Sequence, residues 1–100
     1  MTKSEMTARA TEVAGLLKTL SHPARLRIAC TLAEGERSVS ELEADLDVHQ
    51  PTLSQQLTVL REAGIVETRR DAKQIFYRLT DGRIARLVLS LYAIFCAEEE

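Results

Sequence analysis

The chain has 100 residues, of which 45% are hydrophobic and 28% are charged. This length predicts a single domain, 1–100, since two domains would each be too small to close a core. The composition is typical of a globular protein, and no apolar run is long enough to span a bilayer. No secretion signal is recognisable, which predicts a cytoplasmic protein. The formal net charge of −2 argues against indiscriminate coating of nucleic acid.

Two helices are predicted in the N-terminal third of the chain. Apolar residues from Met6 to Leu20 recur at steps of three and four, which is the spacing of one helical face. Pro23 suits the first turn of a second helix that ends at Gly35. Cys30 is therefore expected in the middle of this second helix, on or beside its apolar face.

The next two predicted helices are short and are joined by a tight turn. Ser38 and Glu41 have the spacing of a capping box, which predicts the start of a third helix. The turn is predicted at 47–49, and Pro51 is expected in the first turn of a fourth helix that ends at Gly64. This pair predicts a helix-turn-helix.

Beyond the fourth helix the pattern changes to that of strands. Residues 65–70 and 74–79 are rich in β-branched and aromatic side chains, and 71–73 separates them as a hairpin loop. Residues 80–81 can cap a last helix that runs to about Ala97. The predicted fold is therefore mainly α with a β-hairpin wing, a winged helix-turn-helix of order α-α-α-α-β-β-α.

The last predicted helix is unusually apolar. Only Arg86 and Ser90 are polar between Ile84 and Ala97, so 12 of 14 residues are hydrophobic. Such a helix cannot lie with a face in water. The economical interpretation is a homodimer in which the last and first helices pack against a second copy. The alternative is a helix buried in the core of one chain.

The outward face of the fourth helix is expected to bind double-stranded DNA. No acidic residue lies between positions 48 and 61, where a carboxylate would repel phosphate. Glutamine can bridge two atoms of adenine in the major groove, and hydroxyl groups can reach bases or phosphates. The candidate residues are Gln50, Thr52, Ser54, Gln55 and Thr58. The alternative is an ordinary solvated helix face.

The tip of the hairpin supplies a second candidate contact to DNA. Arg69, Arg70 and Lys73 cluster there, and long cationic side chains can reach phosphates or the minor groove. Positions 49–80 hold five basic and three acidic residues, whereas the rest of the chain is acidic. Charged hairpin tips are also simply solvated, so this cluster alone is weak support.

Three segments together resemble the ArsR/SmtB family of winged-helix repressors. They are Leu-Ser-His-Pro-Ala-Arg-Leu-Arg-Ile at 20–28, the stretch from Gln50 to Val66, and Tyr-Arg-Leu at 77–79. The resemblance covers nearly the whole chain. It implies a homodimer that binds an inverted repeat in a promoter and leaves it when an inducer binds. Relatives usually carry Ser or Asp at the position of His49, so we expect a poorly capped recognition helix.

Residues 29–30, 50–57 and 91–96 are most similar to the SqrR/BigR branch of this family. That similarity implies redox sensing by Cys30 and Cys96, one on the second helix and one on the last. The implied inducers are persulfides and polysulfides, with sulfane-sulfur donors such as glutathione persulfide as partners. The implied target genes handle sulfide oxidation and detoxification.

Metal sensing, which is common in the family, is not expected here, and neither is a cofactor. The family's metal-binding positions hold Ser38 and Ser40 on the third helix, and Asp81, Arg83, Ile94 and Ala97 on the last. Of these only Asp81 could be a ligand.

The residues themselves leave three functions open. The cysteines are far apart in sequence, and such cysteines are more often inert core residues than a redox pair. Arg27 precedes Cys30 by one helical turn and favours its thiolate if it points the same way. The first function is a thiol-switched repressor, and the second is a repressor that responds to a metal or general oxidants or is constitutive. The third is a thiol enzyme or interaction module that never binds DNA, although neither histidine is near a cysteine in sequence.

Overall fold

The structure is a computed structural model that describes residues 1–96. Its elements are α1 (Lys3–Leu20), α2 (Pro23–Leu32), β1 (Arg37–Ser38), α3 (Val39–Leu46), α4 (Thr52–Glu62), β2 (Val66–Asp71), β3 (Gln74–Leu79) and α5 (Gly82–Phe95). The predicted winged helix-turn-helix is confirmed, with helices and hairpin in the predicted order. The predicted last residue of the final helix, Ala97, lies outside the described residues.

Side-chain caps explain where the helices begin. The Ser38 hydroxyl accepts from the Glu41 amide at 3.1 Å, and the Glu41 carboxylate accepts from the Ser38 amide at 2.8 Å. The predicted capping box is therefore confirmed. His22 Nδ1 accepts from the Ala24 amide at 3.1 Å and starts α2. Asp81 caps α5 in the same way. Each cap satisfies an amide that a helix terminus leaves unpaired.

The wing is an antiparallel hairpin with a tighter turn than predicted. β2 and β3 pair from Val66 opposite Leu79 to Asp71 opposite Gln74, so the turn is 72–73 rather than 71–73. Ala72 takes the turn with a φ of 56°. Because alanine rarely adopts the left-handed region, residue preferences favoured a longer loop.

A third strand, β1, was not predicted. It has two residues, and its Arg37 pairs with Tyr77 at the free edge of β3, which gives the sheet order β1-β3-β2. Two residues cannot display an alternating pattern, so no periodicity could reveal this strand. Its pairing ties the segment between α2 and α3 to the wing.

One apolar core joins the helices to the base of the wing. The predicted inward leucines of α4, Leu53, Leu57 and Leu60, are at most 1% exposed. The buried apolar residues from the other elements are Leu20, Ile28, Ala29, Leu32, Leu42, Leu46, Ile65, Val66, Ile84 and Val88. This core holds α4 against α2 and α3, so its opposite face points outward.

The two terminal helices leave apolar side chains outside this core. On α5 only Ile84 and Val88 are buried, whereas Ile94 is 58% and Phe95 69% exposed. The interpretation of α5 as a helix buried within one chain is therefore wrong. The apolar face of α1 is likewise exposed apart from its last residue, Leu20. No helix within residues 1–96 is long and apolar enough to cross a membrane.

Candidate nucleic-acid interface and dithiol site

The recognition helix α4 presents the predicted polar face to solvent. Thr52, Ser54, Gln55 and Thr58 are all exposed, while the leucines between them are buried. This division follows from the helical repeat of 3.6 residues, because the leucines occupy one stripe. Thr58 donates its hydroxyl to the Ser54 carbonyl at 2.8 Å. The face carries no charge and can both donate and accept hydrogen bonds.

Gln50 does the capping work expected of the position of His49. Its side-chain Oε1 accepts from the Ser54 amide at 3.0 Å and from the Ser54 hydroxyl at 2.6 Å. His49 instead contacts the carboxylate of Asp47 at 2.9 Å. The expectation of a poorly capped first turn is therefore wrong, because the next residue supplies the acceptor. Pro51 lies just before α4 rather than within it.

Gln56 is a contact that sequence reasoning missed. The Arg25 guanidinium on α2 donates to Gln56 Oε1 at 2.9 Å and to the Thr19 carbonyl at the end of α1 at 2.6 Å. One side chain thus joins three helices, α1, α2 and α4. The only available signal was the position of Gln56, one step of about 100° from Gln55 toward the buried stripe.

The three cations of the wing differ in their surroundings. Arg70 and Lys73 are exposed. Arg69 donates to both carboxylate oxygens of Glu36, at 2.6 to 3.0 Å, and its guanidinium carbon lies 4.5 Å from the centre of the Phe76 ring. Sequence spacing could not reveal this pairing, because Glu36 lies beyond α2 and far from the hairpin in the chain.

Cys30 lies where α2 packs on α5. Its thiol is half-buried and donates a weak hydrogen bond to the Val88 carbonyl, with sulfur and oxygen 3.9 Å apart. Burial raises the pKa of the Cys30 thiol, and the negative charges of Cys96 and Glu34 raise it further. At neutral pH this cysteine is therefore a protonated thiol rather than a nucleophile.

Cys96 is an exposed free thiol at the C-terminal end of α5. It follows Val88 by eight residues, which corresponds to about 12 Å along a helix. Its backbone, with φ −121° and ψ −46°, already departs from the helix. Cys30 and Cys96 thus border the same pair of helices, with about two turns of α5 between the Val88 contact and Cys96.

Arg27 does not activate Cys30. Its guanidinium donates to the Leu46 carbonyl at the end of α3, at 2.6 Å. A cation in the last turn of a neighbouring helix satisfies a carbonyl that the helix leaves unpaired. Arg27 is accordingly absent from the charges that act on the Cys30 thiol.

The residues at the family's metal-binding positions have structural roles here. Ser38 is 3% exposed and belongs to the capping box of α3. Hydrogen bonds from Arg83 hold the pKa of Asp81 below its usual value and engage its carboxylate. Ile94 offers no ligand atom, and Ala97 lies outside the described residues. Within residues 1–96 no three His, Cys, Asp or Glu side chains are grouped to hold a metal ion.

Comparison with known proteins agrees with this architecture. Residues 22–68 match the family model described as "Bacterial regulatory protein, arsR family". The biofilm growth-associated repressor of Agrobacterium fabrum is 75% identical over 95 residues, which cover 95% of this chain and 81% of that protein.

Solved structures show the same relationship. The transcriptional repressor BigR from Xylella fastidiosa superposes with a TM-score of 0.87 at 67% identity, covering 97% of this chain and 99% of that one. The homodimeric winged helix-turn-helix DNA-binding domain of Mb0332 from Mycobacterium bovis has a TM-score of 0.75 at 30% identity, covering 94% and 86%. The chain therefore belongs to the ArsR family of bacterial regulatory proteins, and it is a transcriptional repressor of the BigR type rather than an enzyme.

Proposed function

We propose that this repressor is a homodimer that releases an inverted-repeat operator when Cys30 and Cys96 become linked by sulfur. The observation that carries the proposal is the contact of the Cys30 thiol with α5, the helix that ends at Cys96. A covalent link there joins the helix that supports the helix-turn-helix to the helix with the exposed apolar face. The protein acts in the cytosol, where thiols are kept reduced.

The exposed apolar faces of α1 and α5 form the dimer contact. They carry Met6, Val13 and Leu17 on α1, and Leu89, Tyr92, Ile94 and Phe95 on α5. A contiguous apolar surface of this kind is stabilised by burial against a second copy of itself. The homodimeric state of the Mb0332 domain supports the same arrangement here.

In the reduced dimer, two copies of α4 enter successive major grooves on one side of the operator. The spacing of such helices is one DNA turn, roughly 34 to 36 Å. Gln55 reads a base edge, while Gln50, Thr52, Ser54 and Thr58 contact bases or phosphates. Arg69, Arg70 and Lys73 of the wing contact the adjacent backbone or minor groove.

Cys96 reacts first with the sulfane-sulfur donor, because it is exposed whereas Cys30 is half-buried and protonated. Its thiolate attacks the outer sulfur of glutathione persulfide, which yields a Cys96 persulfide and glutathione. The Cys30 thiolate then attacks the inner sulfur of this persulfide, so a disulfide forms and hydrosulfide leaves. The two thiols are thereby oxidised and the sulfane sulfur is reduced.

A longer bridge forms when both cysteines are persulfidated before they meet. The terminal sulfur of one persulfide attacks the inner sulfur of the other, which gives a trisulfide and releases hydrosulfide. A disulfide requires Cα atoms within about 4.4 to 6.8 Å, and each added sulfur relaxes that limit. The two helical turns between Val88 and Cys96 favour the longer bridge, or a bend in the last turn of α5.

Linking the cysteines affects DNA binding through α2. This helix is attached to α4 by the Arg25–Gln56 hydrogen bond and packs on α5 through Cys30. Pinning α2 to the end of α5 changes the tilt of α4 relative to the dimer axis. A coupling free energy of about 1 to 3 kcal/mol lowers operator affinity by roughly 5- to 150-fold. The genes released are those for sulfide oxidation and detoxification.

The test is a fluorescence-anisotropy titration of operator DNA with reduced protein and with protein treated with glutathione persulfide. The duplex is one that the reduced protein selects from a randomised pool. We expect the treated wild type to bind more weakly, while Cys30→Ser and Cys96→Ser bind equally well before and after treatment. Equal binding by treated and reduced wild type would contradict the proposal. Release by zinc or by peroxide, but not by persulfide, would instead favour a metal-responsive or general oxidant-responsive repressor.

A further inference from the structure

Arg69 is the wing cation most strongly engaged by other protein groups. Its Nε and Nη2 donate to the Glu36 carboxylate, and its Nη1 lies 3.7 Å from Asp71. The guanidinium also stacks on the Phe76 ring. Such a two-pronged arginine–carboxylate contact fixes geometry as well as charge. The donors that a phosphate would use are therefore already occupied.

The other two wing cations are differently placed. Arg70 and Lys73 are exposed, and neither forms an ion pair within residues 1–96. They can approach phosphate without breaking a contact inside the protein. Three cations of similar sequence position thus fall into two classes, two available and one held.

Glu36 is held beside the wing by the backbone. It immediately precedes β1, whose Arg37 pairs with Tyr77 on β3. Arg69 stands opposite Phe76 in the hairpin, so the carboxylate and the guanidinium meet over the same part of β3. The hydrogen bond from Arg69 holds the pKa of Glu36 below its usual value, so the carboxylate stays charged at neutral pH. Its side chain is only 27% exposed.

We propose that Glu36 competes with operator phosphate for Arg69 and thereby sets how much this arginine contributes to DNA binding. Glu36 is a positioning residue that acts through Arg69. In free protein the carboxylate holds the guanidinium on the wing, and in the complex Arg69 exchanges Glu36 for a phosphate. This inference rests on the proposed DNA contact of the wing.

The competition has a distinctive energetic consequence. A cation that is free in solution gains its full interaction with phosphate and displaces a counterion from DNA. Arg69 must first leave Glu36, which remains as an uncompensated carboxylate near DNA. The contribution of Arg69 to binding is therefore small while Glu36 is charged, and it increases when Glu36 is neutral.

The test is a double-mutant cycle on operator affinity. Full-length, reduced wild type, E36Q, R69Q and the double variant E36Q/R69Q are titrated against the selected duplex across a range of salt concentrations. E34Q is the matched control, since it removes the same charge two residues away, where Glu34 is exposed and has no ion pair within residues 1–96. Thermal melts of each variant establish that the fold is retained.

We expect E36Q to bind more tightly than wild type and more tightly than E34Q. Replacing Arg69 should cost about tenfold more affinity in the E36Q background than in the wild type, equivalent to about 1.4 kcal/mol of coupling. In the E36Q background it should also reduce the salt dependence by about 0.9 in the slope of log affinity against log salt.

Two results would overturn the inference while leaving DNA binding intact. One is an equal loss on replacing Arg69 in both backgrounds. The other is weaker binding by E36Q than by E34Q, which would make the pair a clamp that holds the wing in its binding position. If wild type selects and binds no duplex at all, the proposed function fails first and the inference fails with it.

Discussion

The helices α4 and α5 both carry an apolar face, but only α4 buries that face within the described chain. Leu57 of α4 is 1% exposed, whereas Phe95 of α5 is 69% exposed. The polar face of α4 is consequently turned outward on a rigid support. The apolar face of α5 is left for another surface to cover. A buried stripe and an exposed stripe in one small domain thus separate the DNA-reading part from the assembly part.

The buried side of this comparison is tested by Leu57→Ala. Deleting the side chain leaves a cavity at a fully packed position, so we expect the free energy of unfolding to fall by about 2 to 5 kcal/mol. Urea denaturation at a fixed protein concentration measures the change. Val59→Ala on the exposed side of the same helix serves as control and should change stability by less than about 0.5 kcal/mol. Equal effects of the two substitutions would contradict the assignment of the core.

The exposed side is tested by Phe95→Glu. A carboxylate in the proposed contact between copies must lose its hydration on assembly, so we expect the dimer to dissociate. Sedimentation velocity should show the mass of one chain, and operator affinity should fall by about 100-fold or more because the two half-sites are no longer bound together. Ile75→Glu, an exposed apolar position on the wing, should keep the mass of a dimer. A dimeric Phe95→Glu protein would place the contact elsewhere.

The outward face of α4 is tested by Gln55→Ala. Loss of a glutamine that bridges two atoms of adenine should cost about 1 to 3 kcal/mol and relax sequence preference at one position in each half-site. Binding to operators with single base substitutions measures both effects. Lys73→Ala should instead weaken binding to all of these sequences to a similar degree. Uniform weakening by Gln55→Ala would show that this residue does not read a base.

The two cysteines are compared by their alkylation rates in single-cysteine variants. Cys30 alone, in Cys96→Ser, should react with iodoacetamide more slowly at pH 7 than Cys96 alone, in Cys30→Ser. A raised pKa means a smaller thiolate fraction at a given pH, so the Cys30 rate should keep rising above the usual thiol pKa of about 8.5. Rates followed by mass spectrometry provide the measurement. A faster Cys30 would reverse the proposed order of attack.

Local signals predicted the parts of the molecule that local physics determines. The capping box at Ser38 and the leucine stripe of α4 follow from spacing within a few residues, and both are confirmed. The contacts between distant segments were not predictable in this way. Glu36 with Arg69 and Arg25 with Gln56 depend on how the wing and the helices pack, which no local spacing encodes.

The direction of a long side chain is a second feature that spacing leaves open. Arg27 precedes Cys30 by one turn, yet its guanidinium reaches the end of α3. Residues three or four apart on a helix are neighbours only if their side chains turn toward each other. For the same reason His49 faces Asp47 while Gln50 caps the recognition helix.

Peptide mapping of the persulfide-treated dimer tests the central claim most directly. Trypsin places Cys30 in peptide 28–37 and Cys96 in peptide 87–100, so a sulfur bridge appears as a joined pair of peptides under non-reducing conditions. Treating a mixture of isotope-labelled and unlabelled chains shows whether the bridge lies within one subunit. The account predicts joined peptides from the same chain, with one or more sulfur atoms added. Separate persulfides on the two peptides, or bridges only between different chains, would contradict it.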